Sequence, residues 1–492
     1  MADTMEDTVE THVKDPVGVH HNEPATPRGE DPVAPNHLTV DRAGVPALYS
    51  ARSSSVVEGW GRHGRQAIEL RGDDLAQLTS RVPLTRGMGR SYGDSSLPPA
   101  GQPLVASSVL ADRVLQLDQQ TGHITCEAGL SLRSLNRLSL PRRWFTPVTP
   151  GTASVTIGGM VASDVHGKNH HSAGTFGDYV THLKMRVADG RIVECSPQQH
   201  PDLFWATIGG MGLTGHILEV SFKLSKVPTP WIREHSERLP NLDAYIDRLL
   251  ETADEWPMSV GWVDLLADGS KLGRGHLMCG RWATPEEAPR REPKWKPAIT
   301  VPDIWPSWVV NPLFLRVLNT VNYHKHWRRV HDGIVHPEKF FYPLDVLRQW
   351  NRAYGRRGGM TQYQCVLPHS AGRGATRALI ELMRREGGQC LLAVIKDCGA
   401  EGRGVLSYPM PGVSTALDLR IDDKTQRIVD KMNEFVIECG GRVYLTKDRF
   451  TRPEHFRQME PRLERFFEIR RRWDPQLRLR SAQSVRMFGD PA

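Results

Sequence analysis

The chain has 492 residues, 39% hydrophobic and 24% charged, with a formal net charge of +7. That length exceeds what one core usually serves, so more than one domain is expected. No run approaches the roughly 20 apolar residues of a membrane span, and no RRM, zinc-finger or basic-zipper signature points to nucleic acid. The start, MADTMEDTVETHVKD, lacks the basic and apolar regions of a secretory signal. Seven scattered cysteines with no CxxC pair fit reduced thiols, so a cytoplasmic protein is expected.

Residues 1–45 are rich in Asp, Glu, Pro and Thr and read as a disordered tail. Structure is expected to begin near Trp60. VLQLDQQTGHITCEAG (114–129) reads as a hairpin, and HLKMRVADGRIVECS (182–196) as a second one turning at Asp189-Gly190. HILEVSFKL (216–224) alternates as a strand. Beyond residue 226, YQCVLP (363–368), CLLAVIKD (390–397) and TALDLRI (415–421) read as strands, and RALIELMRRE (377–386) as a helix. The proline-rich stretch 284–308 reads as a long mobile loop. From GRVYLTKD (441–448) onward the character is strand, then helix.

Three glycine-rich stretches carry the chemistry. GMGRSYGD (87–94) can form a nest of N–H groups for phosphate, with Arg90 adding charge and Ser91 and Tyr92 adding hydroxyls. PGTASVTIGG (150–159) predicts a turn and then a helix starting near Thr156, whose free N–H groups would face an anion. IGGMGLTG (208–215) holds a literal GxGxxG. A helix-like segment precedes it and a strand follows, the reverse of a dinucleotide fingerprint, so a Rossmann reading is rejected. The cluster His166-Gly167-Lys168-Asn169-His170-His171 places titratable groups beside the second stretch. Its spacing does not match a zinc site, and no metal is expected.

GRSYGD, PGTxxVTIGGxxxxDxHGKNHHxAG and FWATIGGxGLTG together resemble the vanillyl-alcohol-oxidase superfamily of PCMH-type flavoproteins. Within it, the resemblance is to the oxidase branch of the decaprenylphosphoryl-β-D-ribose 2′-epimerases. WNRAYG (350–355), QYQCVLP (362–368), LSYPMPG (406–412) and YLTKD (444–448) extend it over about 57–492. It implies an α+β fold of two domains. FAD would bind to 57–225, completed by 442–492, and a substrate domain on an antiparallel sheet would span 226–441.

The resemblance also implies noncovalent FAD. Its contacts would be Arg90, Ser91, Tyr92 and Gly93 from the first loop, and Gly151, Thr152, Thr156, Gly158 and Gly159 from the second. Ser163, His166, Asn169, Gly212, Ile217 and Tyr444 would complete the set. Lys447 is the implied catalytic lysine, with His166 and Tyr92 beside it. A partly desolvated lysine could take or position a hydroxyl proton while the carbon hydrogen leaves as hydride to the flavin. Lys168 and Lys396 would hold the substrate phosphate, and Gln364, Trp262, Ser414 and Ala416 would line the substrate pocket.

The implied reaction oxidises the 2′-hydroxyl of decaprenylphosphoryl-β-D-ribose to a 2′-keto sugar. A separate NADH-dependent reductase would complete epimerisation for cell-wall arabinan, and a quinone or oxygen would reoxidise the flavin. Three positions depart from the family pattern. Ala416 replaces its usual cysteine, the target of covalent nitroaromatic inhibitors. Ser414 replaces an asparagine, and Phe341 a tyrosine, with Tyr342 following. These changes keep open an aldonolactone or free-sugar oxidase of the same superfamily. A flavin-less binding protein is a third reading. Residues 295–329, aromatic and basic, read as a lid, a polyprenyl seat or a peripheral membrane contact.

Overall fold

The computed structural model describes residues 50–51, 55–295, 297–303, 312–354 and 359–492. The expected tail, 1–45, lies outside the described residues, as does the end of the proline-rich stretch.

Three sheets organise the chain. The first holds β1 (Ser55–Glu58), β2 (Gly64–Arg71), β3 (Thr85–Arg86) and β4 (Leu104–Ser107). β4 lies between β2 and β3 and pairs parallel with both. The second holds β5 (Val114–Leu117), β6 (His123–Glu127), β7 (Val180–Arg186), β8 (Ile192–Cys195) and β9 (His216–Lys223), in the order β8-β7-β9-β6-β5. Both expected hairpins are here. Gly190, at φ +95°, supplies the left-handed turn residue that closes the second.

The third sheet has eight strands: β10 (Ile232–Leu239), β11 (Met258–Asp264), β12 (Arg274–Trp282), β13 (Val330–Val335), β14 (Met360–Pro368), β15 (Cys390–Cys398), β16 (Gly412–Arg420) and β17 (Arg442–Val443). Their order is β13-β10-β12-β11-β15-β16-β14-β17, and every pairing is antiparallel. All three strands expected beyond residue 226 lie in it. The proline-rich stretch holds only the two-residue strand Ile299–Thr300 among its described residues.

The helices that matter are α1 (Leu132–Ser139), α2 (Ile157–Ala162), α3 (Leu242–Glu251), α4 (Pro312–Tyr323), α5 (Ala375–Arg385), α6 (Thr425–Glu438), α7 (Leu463–Trp473) and α8 (Ala482–Phe488). Period-2 alternation gives the large sheet two distinct faces. Val263, Leu277, Ile395, Leu417 and Cys365 point to one face, where α3, α5 and α6 cover them with Leu249, Leu379 and Met432. Val260, Lys396, Ser414, Ala416 and Gln364 alternate with these and face the other way, into a cavity. A second apolar cluster, built around Ile124, Leu135, Ile157, Phe176 and Phe222, supports the glycine loops on the far side of that cavity.

Candidate active site

The cavity measures about 350 Å³, within the usual range for a small-molecule site. Its walls come from all three glycine-rich stretches and from the polar face of the large sheet.

The first loop is a cradle. Among the described residues, the backbone N–H groups of Gly87 through Ser91 have no protein acceptor, and these residues line the cavity. Gly89 takes φ +63°, the left-handed conformation that curls such a nest. A Cβ on Gly87 would come within 2.2 Å of Thr156 Oγ1, so its absence lets the first two loops touch. Ser96 Oγ, also on the wall, is buried without a partner. Unsatisfied donors at a cavity wall fit an anionic ligand such as a pyrophosphate. Arg90 braces the loop: its Nε donates to Ser154 O at 2.9 Å, and its guanidinium stacks 4.1 Å over Trp60. Burial pulls its pKa down to about 10.

The second loop corrects one expectation. A helix does begin after Thr156, but its first N–H groups are not free. Ile157 and Gly158 donate to the carbonyls of Leu130 and Ala128, and Gly159 donates to Thr156 Oγ1 at 3.3 Å. The helix start is spent on packing against the strand–helix join before α1, and the free donors sit in the first loop instead. Gly151, Thr152, Thr156, Gly159 and Ser163 do line the cavity. Gly212 lines it as well, at φ +78° with open space where a side chain would stand.

Five expected contacts stand off the cavity wall, each for a physical reason. A Cβ on Gly93 would lie 1.8 Å from Asp448 O, so that glycine admits the C-terminal backbone rather than a ligand. Gly158 is pressed against Ala128. Asn169 Nδ2 donates to Pro147 O at 2.8 Å and braces the loop. Ile217 is a buried β9 core residue. Trp262 shares the cavity-facing side of β11 with Val260 but stacks on His276, 6.2 Å away.

A polar centre closes the site. His166 packs against the touching rings of Tyr408 and Tyr444, at 5.3 and 5.1 Å. Lys396 Nζ bonds its Nδ1, and the Gln364 amide lies 3.2 Å from its Nε2. Burial, reinforced by Lys396, holds the imidazole well below its usual pKa, so the ring is neutral. Lys396 also donates to Gly167 O at 2.9 Å. Lys168 bonds Phe340 O, and burial lowers it to about 7. The Tyr444 hydroxyl donates to Ser163 O at 2.8 Å. Ser414 Oγ meets the Tyr408 hydroxyl at 2.9 Å, and Ala416 lies two residues further along the same face.

Lys447 Nζ sits 4.1 Å over the Tyr92 ring, and a Tyr92 N–H bond to Thr446 O fixes that pairing. Burial lowers Lys447 to about 8, against an opposing pull from Asp418. Asp418 is fully buried, is raised to about 7 by that burial, and accepts from Gln362 Nε2 at 2.5 Å. Sequence reasoning missed Asp418 and Gln362. Their signal was the two-residue spacing from Ala416 and Gln364, which puts all four on one sheet face. The other two histidines of the cluster serve the fold: His170 Nδ1 accepts from Gly399 N, and His171 Nε2 lies 2.8 Å from Trp256 O.

A family model described as an FAD binding domain matches residues 75–196. A decaprenylphosphoryl-β-D-ribose oxidase of Mycolicibacterium smegmatis is 33% identical over 408 residues, 81% of this chain and 88% of that protein. An uncharacterised Streptomyces coelicolor protein is 33% identical over 70% of this chain and 96% of its own length. A mouse L-gulonolactone oxidase is 34% identical over only 28% of this chain. With the donor-lined cavity, these findings define an FAD-dependent oxidoreductase of α+β, two-domain PCMH-type fold. The chain belongs to the decaprenylphosphoryl-β-D-ribose oxidase family.

Proposed function

We propose that the protein oxidises the 2′-hydroxyl of decaprenylphosphoryl-β-D-ribose to the 2′-keto sugar. The observation that carries this is the convergence of Lys447, His166, Lys168 and Lys396 on one cavity beside an unsatisfied N–H cradle. FAD, when bound, supplies the two-electron acceptor for the carbinol hydride. The chain's residues do the rest. Gly87–Ser91, Arg90 and the Gly151–Thr152 turn hold the pyrophosphate. Lys168 and Lys396 each keep N–H donors to spare for the substrate phosphate. Lys447, near neutrality, takes or holds the hydroxyl proton, and Tyr92 beneath its ammonium fixes where that proton goes. His166, with both ring nitrogens engaged, positions Gln364 and Lys396, and FAD is taken as held noncovalently.

The FAD domain is taken as 57–225 with 442–492, and the substrate domain as 226–441. Support comes from α8, whose Ala482 N–H bonds Leu97 O and whose Arg486 pairs with Asp94. The product needs a separate NADH-dependent reductase, and the reduced cofactor needs a quinone or oxygen. No helix among the described residues is long and apolar enough to cross a membrane. A cytoplasmic enzyme that meets its lipid substrate at a membrane surface fits this. The lactone-oxidase alternative is less supported, because such relatives share only about a third of the chain. The test is product analysis with synthetic polyprenylphosphoryl ribose, free ribose and aldonolactones. Loss of two hydrogens from the first alone supports the proposal; turnover of lactone or free sugar alone discards it.

A further inference from the structure

α4 carries more apolar surface than its packing uses. Leu315 and Asn319, one turn apart, face the large sheet; Leu315 is buried, and Asn319 Nδ2 donates to Asp264 Oδ1 at 2.8 Å. Leu313, Val317 and Val321 form an i, i+4, i+8 row that is 72, 57 and 63% exposed, with exposed Leu318 beside it. Just past the helix, Trp327 is 97% exposed. Single exposed apolar residues need no explanation, but a continuous row ending in a bare tryptophan does.

The surrounding charge says what covers it. Between Asp303 and Asp332 the sequence has no Asp or Glu. Within that span Arg316 and Arg329 pair with Asp268 and Glu237, and Lys325 and Arg328 flank Trp327. An apolar row that ends in an exposed tryptophan flanked by Lys325 and Arg328 is the chemistry of a helix lying on an anionic bilayer. A second copy fits worse, because a two-fold contact through the tryptophan end would bring Lys325 and Arg328 of each copy together.

Its position ties it to the cavity. Val260, Trp262 and Asp264 alternate on one face of β11. Val260 lines the cavity and Asp264 holds α4, a span of about 13 Å at strand spacing. None of the described residues of 295–329 lines the cavity, so α4 and Trp327 are neighbours of the site. We propose that α4 and Trp327 form an interfacial docking surface for an anionic lipid bilayer, placed beside the substrate cavity on the same sheet face. This deepens the peripheral contact proposed above but uses no property of the substrate. Failure here therefore leaves the oxidase reading intact, and the converse holds.

The test is co-sedimentation of the full-length, FAD-loaded protein with vesicles of phosphatidylcholine, with or without about a third phosphatidylglycerol. The protein should pellet with the anionic vesicles, weakly with neutral ones, and release at about 1 M salt. Val317→Asp with Val321→Asp, and separately Trp327→Ala, should each weaken pelleting by about tenfold or more, with flavin absorbance and Tm unchanged. Wild-type protein that stays in the supernatant overturns the proposal, as do variants that pellet like wild type. A wild-type dimer that the Asp variant splits, without vesicle binding, would assign the face to self-association and also overturn it.

Discussion

In the proposed reaction the chemistry concentrates at Lys447. Its burial against Tyr92 costs the charged form solvation, and Asp418 returns part of that cost. A group lowered to about 8 gains its basic, neutral form as pH rises through that value. The kcat/KM profile should therefore show a limb rising with pH near 8. Asp418→Asn removes the group that raises Lys447, so the limb should move to lower pH; a limb that stays put would detach Asp418 from Lys447. Lys447→Met should lose about 10²–10⁴ in kcat while keeping its flavin, read by steady-state rates beside flavin absorbance. Ala416 removes the thiol that the family's covalent inhibitors need. Wild type should form no nitroaromatic adduct, and Ala416→Cys should form one, checked by intact mass. Lys447 was legible in YLTKD. Asp418 was not, because an aspartate in TALDLRI reads as a solvated strand residue until the sheet's second face proves to be a cavity.

Among the elements, the loops divide into those that hold a ligand and those that only let chain pass chain. Gly93 belongs to the second kind. Gly93→Ala would overlap Asp448 O and should cost about 1–3 kcal/mol, seen as a lower Tm with or without FAD. Gly151 lines the cavity and, in the proposed reading, belongs to the first. A Cβ there meets nothing within 4 Å, so Gly151→Ala should change the stability of the FAD-free protein by less than about 0.5 kcal/mol while weakening FAD binding. An equal Tm loss in both proteins would erase this distinction. The hairpins, the α2 start and the substrate-sheet strands were legible from turn residues and period-2 patterns. The use of α2's first N–H groups was not, because it depends on the carbonyls of Ala128 and Leu130, some thirty residues earlier in the chain.

At the scale of the whole molecule, the C-terminal segment ties the first loop to the end of the large sheet. Arg486 bridges Asp94 at 2.9 Å and Asp448 at 2.8 Å, and both carboxylates are buried. Arg486→Met leaves two uncompensated buried charges and should destabilise by about 3–5 kcal/mol in chemical unfolding. A loss below about 1 kcal/mol would mean the segment is held by apolar contacts alone. The proposed bipartite arrangement rests on the family resemblance, since no local pattern links Asp94 to a residue near the end of the chain. In the proposed reaction one cavity joins bound FAD to a polyprenylphosphoryl sugar. The most direct measurement is the visible spectrum of the purified protein under anaerobic conditions, before and after adding polyprenylphosphoryl ribose. The expected result is bleaching of the oxidised-flavin band with stoichiometric 2′-keto product, and its absence in Lys447→Met. A flavin band that the lipid sugar leaves unchanged would contradict the claim.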